Sequence, residues 1–221
     1  MINKIIIINI LIIFSSFVFG EQITQKFDAE KIKKININTS KGKVVLSSVT
    51  DKISLVITDK IKVSKECQII VELQDNVLNA KTQSRGGDCE VNFNIAVPAN
   101  VKLDVNIGSG DLEISYVHGN IHFKIGKGDV VINNPGHKVN GKIGSGTIKI
   151  NYKMLPEKGV LDISSGRGET SVTLPEGSKI TSNLKVGLGS IQNEIGEFEN
   201  ASFKINIKSG WGDIKITKIK L

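Results

Sequence analysis

A short motif that returns about every twenty residues limits what this chain can fold into more than any other feature. Gly108-Ser109-Gly110-Asp111 comes back as Gly126-Lys127-Gly128-Asp129 and as Gly144-Ser145-Gly146-Thr147. Looser copies stand at Gly166-Arg167-Gly168-Glu169, Gly187-Leu188-Gly189-Ser190 and Gly210-Trp211-Gly212-Asp213. The first glycine advances by 18, 18, 22, 21 and 23 residues. A period of that size marks a stack of like units, each too small to bury a core alone.

Aligning the copies on the first glycine exposes the interior. Leu103, Val105 and Ile107 precede it in the first copy, Ile121, Phe123 and Ile125 in the second, and Val139, Gly141 and Ile143 in the third. Leu112 and Ile114, Val130 and Ile132, then Ile148 and Ile150 follow the second glycine. Alternation of this kind predicts two half-buried strands per copy, with G-x-G as the corner between them. A corner needs positive φ, and stacked corners leave no room for side-chain bulk, so both demands select glycine. The pattern predicts an all-β, single-chain β-solenoid, parallel β-helix-like, of about six G-x-G turns with an irregular N-terminal β region. The competing geometry is an antiparallel β meander or sandwich, with each G-x-G as a hairpin turn.

Residues 1–20 read as a signal peptide: Lys4 supplies a basic start, Ile5 to Phe19 an apolar stretch, and Gly20 a small residue at the cut. After Glu21 no apolar run is long enough to span a bilayer as a helix. Residues 21–97 show strands without a strict period, apart from a faint copy at Lys41-Gly42-Lys43. Pro98 marks the boundary, and residues 98–221 carry the repeats. Cys67 and Cys89 are disulfide candidates in an exported chain, where such bonds persist. The 29 Lys and Arg against 22 Asp and Glu give a net charge of +7. The lysines are dispersed and lack interleaved aromatics, so nucleic acid is not an expected partner.

Val97-Pro98 through Asp111, followed by successive G-x-G-D-hydrophobic-x-hydrophobic copies, resembles the bacterial putative adhesin domains. Ile107-Gly108-Ser109-Gly110-Asp111-Leu112-Glu113-Ile114 carries the likeness most fully. The resemblance spans about residues 27–221 and implies one continuous, exported β-solenoid domain over 21–221. That family offers no catalytic residues to transfer, and Thr147, Glu169 and Ser190 depart from its Asp position.

Gly126-Lys127-Gly128-Asp129 lacks the phosphate-loop spacing and a following helix. Asp111, Asp129, Glu169 and Asp213 recur once per turn, too sparsely for a calcium site, and are expected to bond their own turn backbone. His118 and His122 would not converge on strands. No metal, cofactor or catalytic group is expected. The residue between the glycines varies freely, and Lys127, Arg167, Leu188 and Trp211 would line one contact edge.

These features predict a non-catalytic exported protein, in the periplasm, on the cell surface or secreted, that binds a cell-surface glycan or an envelope protein. One alternative is an assembly module that self-associates through an uncovered C-terminal coil at Ile214–Leu221. An envelope carbohydrate-active enzyme is the other.

Overall fold

The structure, a computed structural model, describes residues 21–219. The signal peptide read from residues 1–20 lies outside the described residues.

The chain begins with β1 (Gln22–Asp28), a 3-10 turn at Ala29–Lys31, β2 (Lys34–Lys41), β3 (Val44–Val49) and a long β4 (Ile53–Val63). Strands β5 (Cys67–Gln74) and β6 (Val77–Ser84) form a hairpin. Its two-residue turn, Asp75 and Asn76, has φ of 49° and 64°, the conformation that short-chain Asp and Asn tolerate. β7 (Cys89–Pro98) follows. The repeats then supply strand pairs: β8 (Lys102–Ser109) with β9 (Leu112–Ser115), β10 (Ile121–Lys127) with β11 (Val130–Asn133), and β12 (Lys138–Ser145) with β13 (Ile148–Asn151). Next come β14 (Gly159–Arg167) with β15 (Thr170–Leu174), β16 (Thr181–Leu188) with β17 (Ile191–Asn193), and β18 (Phe203–Trp211) with β19 (Ile214–Lys218).

Neighbouring repeats pair in parallel and in register. Ile121 stands beside Leu103 on one side and Val139 on the other, and Val130 stands between Leu112 and Ile148. The protein is an all-β, parallel β-helix-like solenoid, and the antiparallel meander is excluded for the repeats. The irregular region contributes coils of its own. β2–β3 stacks in parallel on β8–β9, and β6–β7 stacks in parallel on β2–β3. Lys41-Gly42-Lys43 is therefore a true corner, with Ser40 at the first glycine position. Antiparallel strands close this end: β5 on β6, β4 on β7, and β1 on β4.

Coil order departs from chain order at both ends. β6–β7 lies outside β2–β3, although the chain makes it later. At the far end β18–β19 is inserted between β14–β15 and β16–β17. The expectation of an uncovered C-terminal coil is thus corrected: the last repeat is covered on both sides, and β16–β17 ends the stack. The cause is the connection from β15, which carries the chain two layers on. It leaves a gap of ~9.6 Å that one further coil fills.

Side chains pointing inward form columns with essentially no exposure, among them Leu103, Ile121, Val139, Leu161 and Ile205. Each buried Ile or Leu contributes roughly 2 kcal/mol. One column holds Phe123 beside Gly141, where an added Cβ would overlap the Phe123 ring. Near Phe203, whose ring meets it edge-on at 5.5 Å, Tyr152 is buried with a hydroxyl that has no hydrogen-bond partner among the described residues. Burial raises the pKa of that phenol.

Two stability tests follow. Phe123→Ala should cost about 3–5 kcal/mol, since nothing beside Gly141 can fill the hole. Gly141→Val should also destabilise alone, and the double variant should recover part of the loss. A double-mutant cycle by urea denaturation with no coupling would contradict this packing. Gly128→Ala should cost about 3 kcal/mol or more, because it adds left-handed strain to a clash with the adjacent backbone.

Candidate functional site

The corners share one construction. Gly128 has φ of 144°, and a Cβ there would fall on the carbonyl oxygen of Gly110 in the preceding coil. A Cβ on Gly144 would stand 2.5 Å from the Gly126 oxygen. The glycines therefore admit the neighbouring backbone as well as the turn.

The acid after the corner bonds across coils, in contrast to the expected bond within its own turn. Asp111 Oδ1 accepts the backbone N–H of Asp129 at 2.8 Å, and Asp129 Oδ1 accepts that of Thr147 at 2.7 Å. Asn92 does the same for Lys43 at 2.8 Å, and Asp213 for Ser190 at 2.8 Å. The backbone answers in the opposite direction, with Leu112 N–H donating to the Asp129 carbonyl and Val130 N–H to that of Thr147. Parallel strands have no tight-turn hydrogen bond to spend here, so the side chain turns to the layer above. Glu169 is instead drawn to Lys215 at 2.6 Å. Ser190 lies in the terminal coil, where no further layer among the described residues presents an N–H. Its hydroxyl and N–H both donate to Asp213, and hold that carboxyl below the ordinary range, the backbone bond being the larger cause.

The residues between the glycines form one column along the stack. Register places Ser109, Lys127, Ser145, Arg167, Trp211 and Leu188 in that order. Inserting β18 brings Trp211 between Arg167 and Leu188, which chain order would not do. The Arg167 guanidinium lies 5.0 Å from the centre of the Trp211 ring. Trp211 is 54% exposed and Leu188 61%. A shallow hollow of about 310 Å³ is lined by Gly144, Ser145, Gly166, Arg167 and Trp211. Lys127 stands two layers from Arg167, ~9.6 Å along the same edge. This arrangement can hold a flat or ring-shaped group against an aromatic face with a cation beside it.

Other candidates are placed apart. His118 sits in the loop before β10 and His122 on its outer face, beside Asp104 and Asn140. No group of three His, Cys, Asp or Glu among the described residues is close enough to hold a metal ion. Cys67 and Cys89 are joined, with Cα atoms 5.3 Å apart, tying the start of β5 to the start of β7. The sequence reading missed the lysines of the outer sheet face. Lys124 pairs with Lys142, and Lys208 with Lys185, in a column of exposed side chains. Their signal was present as a lysine two places before the first glycine in four copies.

No family model matches the chain, and no curated protein matches it. Solved structures do. A putative cell adhesion protein from Clostridium sporogenes shares 16% identity and a TM-score of 0.52, covering 90% of this chain and all of its own. A putative adhesin from Bacteroides fragilis shares 14% identity with a TM-score of 0.38, covering 89% of this chain and 97% of its own. At such identity the likeness to the clostridial protein is one of fold. No described helix is long and apolar enough to cross a membrane.

Asp213 sets a pH test. A carboxyl with a depressed folded pKa stabilises fully above its unfolded value, and that contribution is lost as pH falls through the folded value. Asp213→Asn keeps an acceptor, as Asn92 does, and removes the titration. The urea midpoint of the wild type should fall more steeply on acidification than that of the variant; parallel profiles would show that the bond contributes nothing.

Proposed function

We propose that this chain is exported and works as a non-catalytic, adhesin-like binding module at the cell envelope. The observation that carries this reading is the exposed corner column, where Arg167 and Trp211 stack beside a hollow floored by glycines. Exposed aromatic and guanidinium groups held on a rigid scaffold favour contact. The signal-peptide pattern read in residues 1–20 and the likeness to the fold of a solved cell adhesion protein support this location. The stack supplies a long rigid surface in which each coil holds the next, which suits contact with an extended partner. Ligands on such an edge would be a cell-surface glycan or an envelope protein.

The acids support no enzyme. Asp111, Asp129 and Asp213 are occupied by backbone N–H groups, and Glu113 is held by Lys43 at 2.6 Å. Asp104 and Asp162 share an outward column but stand three layers apart, ~14 Å, too far for a paired acid and base.

Self-association through a coil end would belong to β16–β17, whose outer side has no strand partner among the described residues. Ile191 there is 45% exposed. Glu197 blocks part of that edge by accepting the Ser182 N–H at 2.8 Å.

Retention of the labelled protein on whole bacterial cells and on immobilised wall glycans tests the proposal. Arg167→Ala with Trp211→Ala should lower retention by about tenfold, the weight of one aromatic anchor, with an unchanged melting temperature. Full retention by the variant would remove the edge from the reading. No retention of the wild type on any surface would sink the reading itself.

A further inference from the structure

We infer that the outer face of the sheet formed by β8, β10, β12, β14, β18 and β16 binds a linear anionic polysaccharide laid along the stack axis. The inference rests on the surface-binding reading above and names the ligand class.

The argument begins with register. Outward positions recur at ~4.8 Å from strand to strand, so residues twenty apart in sequence become neighbours. One column runs Asn106, Lys124, Lys142, Ser164, Lys208, Lys185. Closer to the strand starts, Lys138 and Lys204 flank Val160, and Lys102 stands beside Lys34. Toward the corner stand Lys127 and Arg167. Among the described residues, Lys124, Lys142, Lys185 and Lys208 make no ion pair, and all four are exposed. The acids in the outward columns are Asp104, which pairs with Lys34 at 3.6 Å, and Asp162. On the second sheet Lys43 and Lys215 are matched by Glu113 and Glu169 at 2.6 Å, and Lys149 stands between Val131 and Ser171 with no second lysine beside it. Of the two solenoid sheets, the first therefore carries the aligned cations without ion-pair partners among the described residues.

Shape selects the occupant. Between the Lys124–Lys142 column and the Lys127–Arg167 corner runs a row of exposed glycines, Gly126, Gly144 and Gly166. The two cationic rows lie three residues apart along each strand, ~10 Å, which admits a single polymer chain and not a duplex. Val160, at 37% exposure, is the large apolar side chain in the strand columns, and the exposed Trp211 and Leu188 are confined to one end of the corner row, so the face offers little to a bilayer interior. Trp211 stands in the corner row between Arg167 and Leu188, one layer from the β16 end, and leaves 54% of its surface exposed beside the glycine row.

The test measures binding of the full protein to polygalacturonate and dextran sulfate, with neutral dextran, double-stranded DNA and phosphatidylglycerol vesicles as comparators. The anionic glycans should bind, weaken with added salt, and exceed DNA and vesicles at equal charge concentration. Lys124→Glu, Lys142→Glu and Lys208→Glu together should weaken glycan binding at least about tenfold. Lys65→Glu, Lys149→Glu and Lys218→Glu make the same change in net charge elsewhere and should stay within about twofold of wild type. A Lys→Gln set at the three face positions, checked by thermal melting, should also lose binding, which separates charge from misfolding. Equal loss in both Glu sets, unchanged binding in the face set, or preference for DNA or vesicles would overturn the inference. Cell retention that survives the face substitutions would overturn it while leaving the surface-binding reading intact; a wild type that adheres to nothing would remove both.

Discussion

The whole architecture depends on one close approach: the carbonyl oxygen of a corner residue in one coil occupies the space that a Cβ would need in the next. Gly42, Gly110, Gly128, Gly146, Gly168, Gly212 and Gly189 follow one another in this way through the stack. Parallel strands must remain ~4.8 Å apart through the bend as well as along their straight lengths. Only a residue without a side chain lets the bend obey the same spacing. The cross-coil bonds of Asn92, Asp111, Asp129 and Asp213 then fix each corner to its neighbour. Register at the corners in turn sets register in the columns, since a slip of one residue would turn every apolar side chain outward.

Fixed register also explains how coils change places. Any coil with the same strand–corner–strand form fits beside any other, so chain order does not dictate stacking order. The composition of the coils supplies what the backbone does not. Inward positions of β16–β17 include Ser182 and Asn193, whereas their neighbours in β18–β19 are Ile205 and Ile216. The more apolar coil gains more by lying between two layers. Asn193 is suited to the end, where its Oδ1 accepts the N–H groups of Ile195 and Gly196 as the chain turns back. Glu197 then satisfies the Ser182 N–H, which lacks a neighbouring strand.

Much of this was legible in the sequence. Alternation at Leu103, Val105 and Ile107 and the matching columns below them gave both strands of each repeat and the corner between. Inter-coil placement was harder to read, because it rests on pairings that sequence spacing leaves degenerate. Asn193 at an inward position was the available sign that β16–β17 ends the stack. The N-terminal coils escaped the period because Ser40 replaces the first glycine of one corner, and in the other Glu90 and Val91 stand where Lys41 and Gly42 do, after a bend at residues 85–88. The corner acids were misread for a related reason: a turn-forming Asp and a layer-bridging Asp have the same local sequence.

The lysine face follows from the same geometry and shows why composition alone understated it. A modest net charge spread evenly through a sequence is weak wherever the chain folds those residues apart. Here a lysine two places before the corner glycine recurs in Lys124, Lys142, Lys185 and Lys208, and stacking converts recurrence in sequence into adjacency in space. Adjacent like charges repel, and nothing in the inward packing requires them, since the opposite side of each strand supplies the core. Their cost to the isolated fold is relieved by an extended anion or by salt. A solenoid that aligns uncompensated cations on one sheet, while pairing Lys43 and Lys215 on the other, directs its charge outward along a single axis.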